Sequence, residues 1–506
     1  MSNAQTASAS TLKTYTKKEM SFYLASMAGQ NLLYASITAC LAYYMQFTIA
    51  IPAIAVSVIM AAARIWDAFN DPIMGTIVDR TRTKWGKMRP YLLFIPIPLA
   101  VLTALCFTNF GIYGGDNSDS QNALIIAWAA FIYIVFGMAY TIGDIPLWGI
   151  TALMTEDKHQ RNKLLSLARI SGAVAAGVVT FVMQPAAFGI GEALTESSGS
   201  AILAEKTGFF IIAAALALVG GGLFQLAGIF VREKIPPSEK RFTLKENFQI
   251  MWRNKPFRQI LLSGIFGSSK NLTMIVAMPI VSYYFADKSP MLSLVYMALL
   301  GGGLFIGQFA ALGVMPKLVK KYEKHKMYNF SNLAMLPPFI LIFLLYLLFP
   351  NDLVHPAAIA SLFLLFGIVG VGTGATMALS TMMIADAVDY EEHKYGSRPD
   401  GIFFSGMTFI AKLSGGVASI ISGIAYSIVG FSDDNVTRLN DYVATNGSAR
   451  GVEEFMPYMF ILFFLATIPP AIGCILSVIP TRRYALSDKE HENILRELNE
   501  RRHSED

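Results

Sequence analysis

Apolar residues run along this chain in stretches of about 20 or more, the length an α-helix needs to cross a hydrocarbon core, and polar residues gather in short breaks between them. The pattern predicts twelve spanning helices, at 21–49, 51–78, 91–110, 122–150, 164–187, 207–231, 258–286, 291–315, 328–349, 357–388, 402–430 and 454–480. An all-α membrane protein follows, because in lipid a helix satisfies its own backbone N–H and C=O groups. Residues 232–257 form a polar linker in the middle of the chain. Thr243 and Glu246 are spaced there as a capping box ahead of Phe248, Met251 and Trp252 at helical spacing, which predicts a short interfacial helix. Residues 481–506 read as a charged tail with a short helix at 487–502.

Composition agrees with this pattern. Of 506 residues, 54% are hydrophobic and 15% charged, with a mean hydropathy of +0.49, too few charges to coat a soluble globule of this size. The net charge of +5 follows from topology. Lys and Arg crowd the junctions 79–89, 158–163, 232–258 and 317–326, whereas 111–121 and 351–355 carry neither. Positive junctions mark the cytoplasmic side, so a multi-pass protein of the cell inner membrane with both termini in the cytoplasm is expected. Loop 430–456, with Arg438 and Arg450, fits less cleanly. A nucleic-acid partner is not needed to explain the charge. Residues 1–18 are polar and lead into a full span, so no cleavable signal peptide is expected. Cys40, Cys106 and Cys474 lie in apolar runs without disulfide or metal spacing. The sequence has no Walker A loop, HExxH or nucleophile elbow, which argues against a membrane enzyme and a cofactor.

An internal repeat divides the chain. Gln30-Asn31-Leu32 aligns with Lys270-Asn271-Leu272 at an offset of 240, which also superposes Tyr43-Tyr44 on Tyr283-Tyr284. The basic junction 75–89 is echoed at 313–326, and 154–163 more loosely at 384–394. Two related six-helix halves, 1–231 and 258–480, indicate a transporter of the major facilitator type, with its substrate near the midplane.

Charges inside the spans carry the chemistry, since each costs about 2.5 to 3.5 kcal/mol at a bilayer centre on insertion scales. Arg64, Asp67, Asn70 and Asp71 share one helical face of the second span. Two carboxylates one turn apart, with an amide oxygen between them, offer hard donors to a small cation. They repel each other unless a cation or proton lies between them. A purely structural ion-pair network is the competing reading, but two acids against one base leave a charge unpaired. Asp144, Arg169 and Lys412 complete the intramembrane set, and Lys270 adds a charge in the seventh span.

Three stretches resemble one known family. They are ARIWDAFNDPIMGTIVDRTRTKWGKMRPYLL at 63–93, GMAYTIGDIPLWGI at 137–150, and, in the second half, Ala385-Asp386-Ala387-Val388-Asp389-Tyr390 with Ala411-Lys412-Leu413-Ser414-Gly415-Gly416. The chain resembles the glycoside-pentoside-hexuronide:cation symporters, particularly their melibiose carriers, over essentially the whole transmembrane core. The resemblance implies symport of a glycoside, oligosaccharide or uronide with Na+, H+ or Li+ by alternating access in a functional monomer. It implies that Asp67, Asn70, Asp71 and Thr141 bind the cation, and that Asp144, Trp148 and Arg169 contact the sugar. Arg64 and Lys412 then balance charge, Lys412 standing one turn after Thr408, a further sugar candidate. Tyr140, Thr141, Asp144 and Trp148 share one helical face, where a carboxylate can accept from two hydroxyls and a ring suits the apolar face of a pyranose. Asp386, Asp389 and Arg398 are expected to form gate salt bridges between the halves on the cytoplasmic side. Relatives of the family that move lysolipids supply the alternative cargo, a lysolipid or other amphiphile, although retention of Asp144, Trp148 and Arg169 favours sugar. One departure stands out. Gln30-Asn31 occupies the place of a Lys-Asp pair whose aspartate binds sugar in the melibiose carriers. Asn31 can still bond a hydroxyl, and Lys270 at the repeat position would make the cavity more positive, suiting an acidic sugar, unless it snorkels to an interface.

Overall fold

The computed structural model describes residues 14–114, 117–155, 158–198, 201–234, 244–396, 400–431 and 433–504. Among them the helices fall where the apolar runs predict. The first half contains Lys17–Tyr43, Ala53–Arg80, a third span in two pieces (Arg89–Phe94 and Pro96–Leu105), Asp119–Gly149, Lys158–Ser198 and Ala201–Phe230. The second contains Lys255–Phe266 continued at 49° by Ser268–Phe285, then Pro290–Leu318, Lys324–Leu348, Pro356–Tyr395, Asp400–Ile428 and Met456–Thr481. Eight of these spans are individually long and apolar enough to cross a bilayer, and the bent seventh joins them. The third is divided ahead of Pro96, which starts a new helix where its missing N–H is no loss.

Helices approach each other at small residues, as they must where lipid gives no hydrophobic drive for association. Gly29 lies against the backbone of Gly220 and Phe224, and Gly370 against that of Leu304. Leu218, Phe330 and Ile428 are exposed, as lipid-facing residues should be. The repeat is visible in three dimensions. The first span ends in a wide π-turn, Tyr44–Thr48, and the seventh in another, Ile280–Phe285. The repeat-related rings of Tyr43 and Tyr283 stack across the interface between the halves, 6.5 Å apart.

An even number of spans puts both termini on one face, here called the terminal face; the other is the distal face. On the terminal face the linker forms the helix Leu244–Arg253, while Thr243 of the expected capping box lies outside the described residues. Glu391 of the tenth span holds it, by an ion pair with Arg253 and by accepting from Asn254 at 3.1 Å. The tail helix Asp488–Ser504 packs Ile494 and Leu498 against Tyr390 and Tyr484. On the distal face, loop 430–456 contains a helix the sequence reading did not expect, Asp433–Asn446, which buries Val436, Leu439, Asn440 and Val443. The two arginines that blurred the topology of this loop are neutralised locally. Arg438 pairs with Glu454 at 2.5 Å and Arg450 with Asp287 at 2.6 Å.

Candidate functional site

The second span meets the eleventh where Gly416 lets the two helices close to within 3.2 Å of an added Cβ at Arg64. One turn away on the same face of the eleventh span, Lys412 reaches into the carboxylate pair. Its Nζ lies 2.5 Å from Asp71 Oδ2 and 3.8 Å from Asp67 Oδ2. Arg64 stands 3.8 Å from that same Asp67 oxygen. From the fourth span, Thr141 Oγ1 donates to Asp71 Oδ1 at 2.8 Å. Gly137, one turn earlier, lets this helix press on Asp67, whose Oδ1 would lie 2.9 Å from a Cβ placed there. Asn70 is buried beside them, and its Nδ2 makes no hydrogen bond among the described residues. The four expected cation ligands are thus gathered, with a lysine ammonium between the carboxylates. Asp67 and Lys412 are each only 10% exposed. Removing one partner of such a buried pair strands the other charge, a loss of about 3 to 5 kcal/mol.

One turn along the fourth span from Thr141, Asp144 forms the second centre. Its Oδ1 accepts from Gln30 Nε2 at 2.8 Å, Trp148 Nε1 at 3.1 Å and Tyr140 Oη at 3.3 Å. Oδ2 accepts no hydrogen bond among the described residues. Arg169 lies 5.8 Å over the Trp148 ring. The sequence reading gave Asn31 the hydroxyl-binding role; the geometry gives Gln30 the contact with Asp144. Asn31 Nδ2 donates to Gln30 Oε1 at 2.8 Å, which turns the Gln30 amide so that its NH2 faces Asp144 and Tyr140. Around the two centres three carboxylates (Asp67, Asp71, Asp144) face three bases (Arg64, Arg169, Lys412).

Other expectations change. Lys270 is not at Asp144. Its Nζ donates to Asn332 Oδ1 at 2.8 Å, inside the C-terminal half. Asp386 does not bridge the halves in this conformation. It pairs within its own half with Lys324 at 2.5 Å and with His491 of the tail at 3.5 Å, and Asp389 takes His491 Nε2 at 2.9 Å. Arg398 and the side chain of Thr408 lie outside the described residues.

A family model described as MFS/sugar transport protein matches residues 22–488. The chain is 26% identical over 481 residues to the isoprimeverose transporter of Lactiplantibacillus pentosus, covering 94% of this chain and 90% of that one. It is 24% identical over 471 residues to the glucuronide carrier protein homolog of Escherichia coli strain K12, covering 91% of each. Among solved structures, it matches the inward-facing, unoccupied bacterial homolog of the human lysosomal transporter Spinster with a TM-score of 0.62 at 11% identity, over 93% of this chain and 98% of that one. It also matches the D-xylose-proton symporter, with a TM-score of 0.54 at 13% identity, over 93% and 98% of the two chains. At these identities the structural likeness speaks for the fold alone.

Proposed function

The chain belongs to the MFS/sugar transport protein family, and on that premise we propose that it is a secondary active transporter which couples movement of a glycoside, oligosaccharide or uronide to a small cation by alternating access. It is a multi-pass membrane protein. The reading that both termini face the cytoplasm, across a cell inner membrane, rests on the basic junctions of the terminal face.

One observation carries the coupling. Thr141 and Asp144, one turn apart on the fourth span, belong to different centres, the first bonded to Asp71 and the second facing the open side of Oδ2. The mechanism follows from the charges. Without a cation, the Lys412 ammonium neutralises Asp71 and part of Asp67. A sodium ion or proton drawn between the carboxylates displaces it, with the carboxylates, Thr141 and Asn70 supplying oxygen donors of the type hard cations select. The freed ammonium changes the field on Asp144 and the contact between the second and eleventh spans. Cation and sugar therefore raise each other's affinity by the same factor, and the relative stability of the two orientations of the halves shifts with them. Gln30, Tyr140 and Trp148 hold Asp144 in one orientation, and the Trp148 ring offers an apolar plane with Arg169 over one face.

The test is uptake of labelled glycosides into proteoliposomes. A sodium or proton gradient imposed inward is expected to raise the accumulated glycoside about tenfold over the no-gradient level, the factor that about 1.4 kcal/mol of driving force supplies. Transport of a lysolipid with no response to any glycoside would overturn the reading.

A further inference from the structure

Among the described residues, hydrogen bonds between the halves occur at mid-depth and toward the distal face. Beyond the Asp71–Lys412 pair they form one buried cluster. Glu205 at the start of the sixth span accepts from Thr48 at 2.6 Å and from Lys288 at 2.5 Å. Lys288 comes from the opposite half, in the turn between the seventh and eighth spans. Asn440, on the distal helix, accepts from Lys288 at 3.1 Å and from Tyr283 at 2.7 Å, and donates to the Phe47 carbonyl at 2.8 Å. Gln184 of the fifth span bonds Ser282 of the seventh. The ion pair is largely buried, with side-chain exposures of 9% and 16%.

Several features mark this cluster as a contact made to be undone. Its ion pair joins the two halves at the rim of the bundle, where opening of the distal side would bring water to both charges. Gln46 Nε2 and Gln184 Oε1 are buried within it without partners, a state that opening to water would relieve. Asp287 and Lys288 both hold left-handed backbone, with φ of +48° and +58°, which non-glycine residues keep only when their surroundings fix them. Those surroundings are the distal loop itself: Arg450 and Ser448 hold Asp287, and Asn440 with Glu205 holds Lys288. The two π-turns that end the first and seventh spans flank the cluster, and such turns are frequent where a helix changes shape in function.

We propose that Glu205, Lys288 and Asn440 form the distal gate of the transporter, with the helix Asp433–Asn446 as the latch that keeps it shut. The proposal rests on the alternating-access reading, but its test needs no substrate, so the two can fail separately. Ser282→Cys places a thiol in the seal, and a membrane-impermeant maleimide is added to one face or the other of sealed vesicles. The buried native cysteines give the background. Labelling of the parent is expected to be slow from both faces. Adding Asn440→Ala or Lys288→Gln is expected to raise the labelling rate about tenfold from the distal face only, as a shift in the open population requires. Unchanged labelling in both folded variants would overturn the gate. So would a rise that is equal from the two faces, which reports general loosening. Should Lys288→Gln fail to insert, Asn440→Ala carries the test, because it leaves the ion pair in place.

Discussion

Asp144→Asn is expected to abolish sugar binding while leaving the protein inserted and able to bind its cation. The carboxylate uses one oxygen for Gln30, Tyr140 and Trp148 and presents the other to the ligand. An asparagine in the same pose has one acceptor for three protein donors. With its oxygen kept on those donors, its NH2 faces the ligand and can no longer accept from sugar hydroxyls; turned the other way, the NH2 meets three protein donors. Hydrogen bonds to a charged group contribute about 1.5 to 3 kcal/mol each. Losing two with sugar hydroxyls lowers affinity by roughly two to four orders of magnitude. Titration calorimetry with a transported glycoside checks this, with Asp144→Glu as the charge-preserving control; an affinity within tenfold of the parent would remove Asp144 from the sugar site.

Asp71→Cys is expected to uncouple the carrier. The substitution removes the carboxylate that holds Lys412 at 2.5 Å and accepts from Thr141, and a thiol is a poor ligand for a hard cation. Lys412 then has only Asp67, 3.8 Å away, and neutralises it without competition. Concentrative uptake driven by sodium or protons should fall to the gradient-free level, while exchange of sugar across the membrane persists because Asp144 is untouched. Pairing the change with Lys412→Ala should recover thermal stability, since no buried charge is left over, but not the response to the gradient. A normal gradient response in Asp71→Cys would show that the cation binds elsewhere.

Much of this was legible along the chain, and the exceptions have physical causes. The carboxylate pair on the second span could be found because helical spacing alone puts Asp67 and Asp71 on one face. That Lys412 sits between them could be anticipated only as charge balance, since its approach depends on the packing of two helices some 340 residues apart. Lys270 was visible as a charge, but its direction was not. The seventh span breaks after Phe266 into the short 3₁₀ segment Ser268–Asn271, which turns the lysine off the face that the repeat would give it and toward Asn332. The partners of Asp386 were hidden by distance, since Lys324 and His491 come from other elements of the same half. The distal helix did carry a stripe, at positions 436, 439, 440 and 443. Its many charges masked a pattern that in hindsight has helical period.

The three acids and three bases around the two centres have an electrical consequence. With all six ionised, the two centres together are neutral when empty, so on the stroke that returns the carrier without cargo they move no net charge. A carrier holding one cation and a neutral sugar moves one. Membrane voltage, worth about 2.3 kcal/mol per charge for each 100 mV, therefore acts on the charge of these two centres in the loaded stroke alone. The potential speeds delivery without trapping the unloaded protein at either surface, and transport current appears only when cation and sugar cross together.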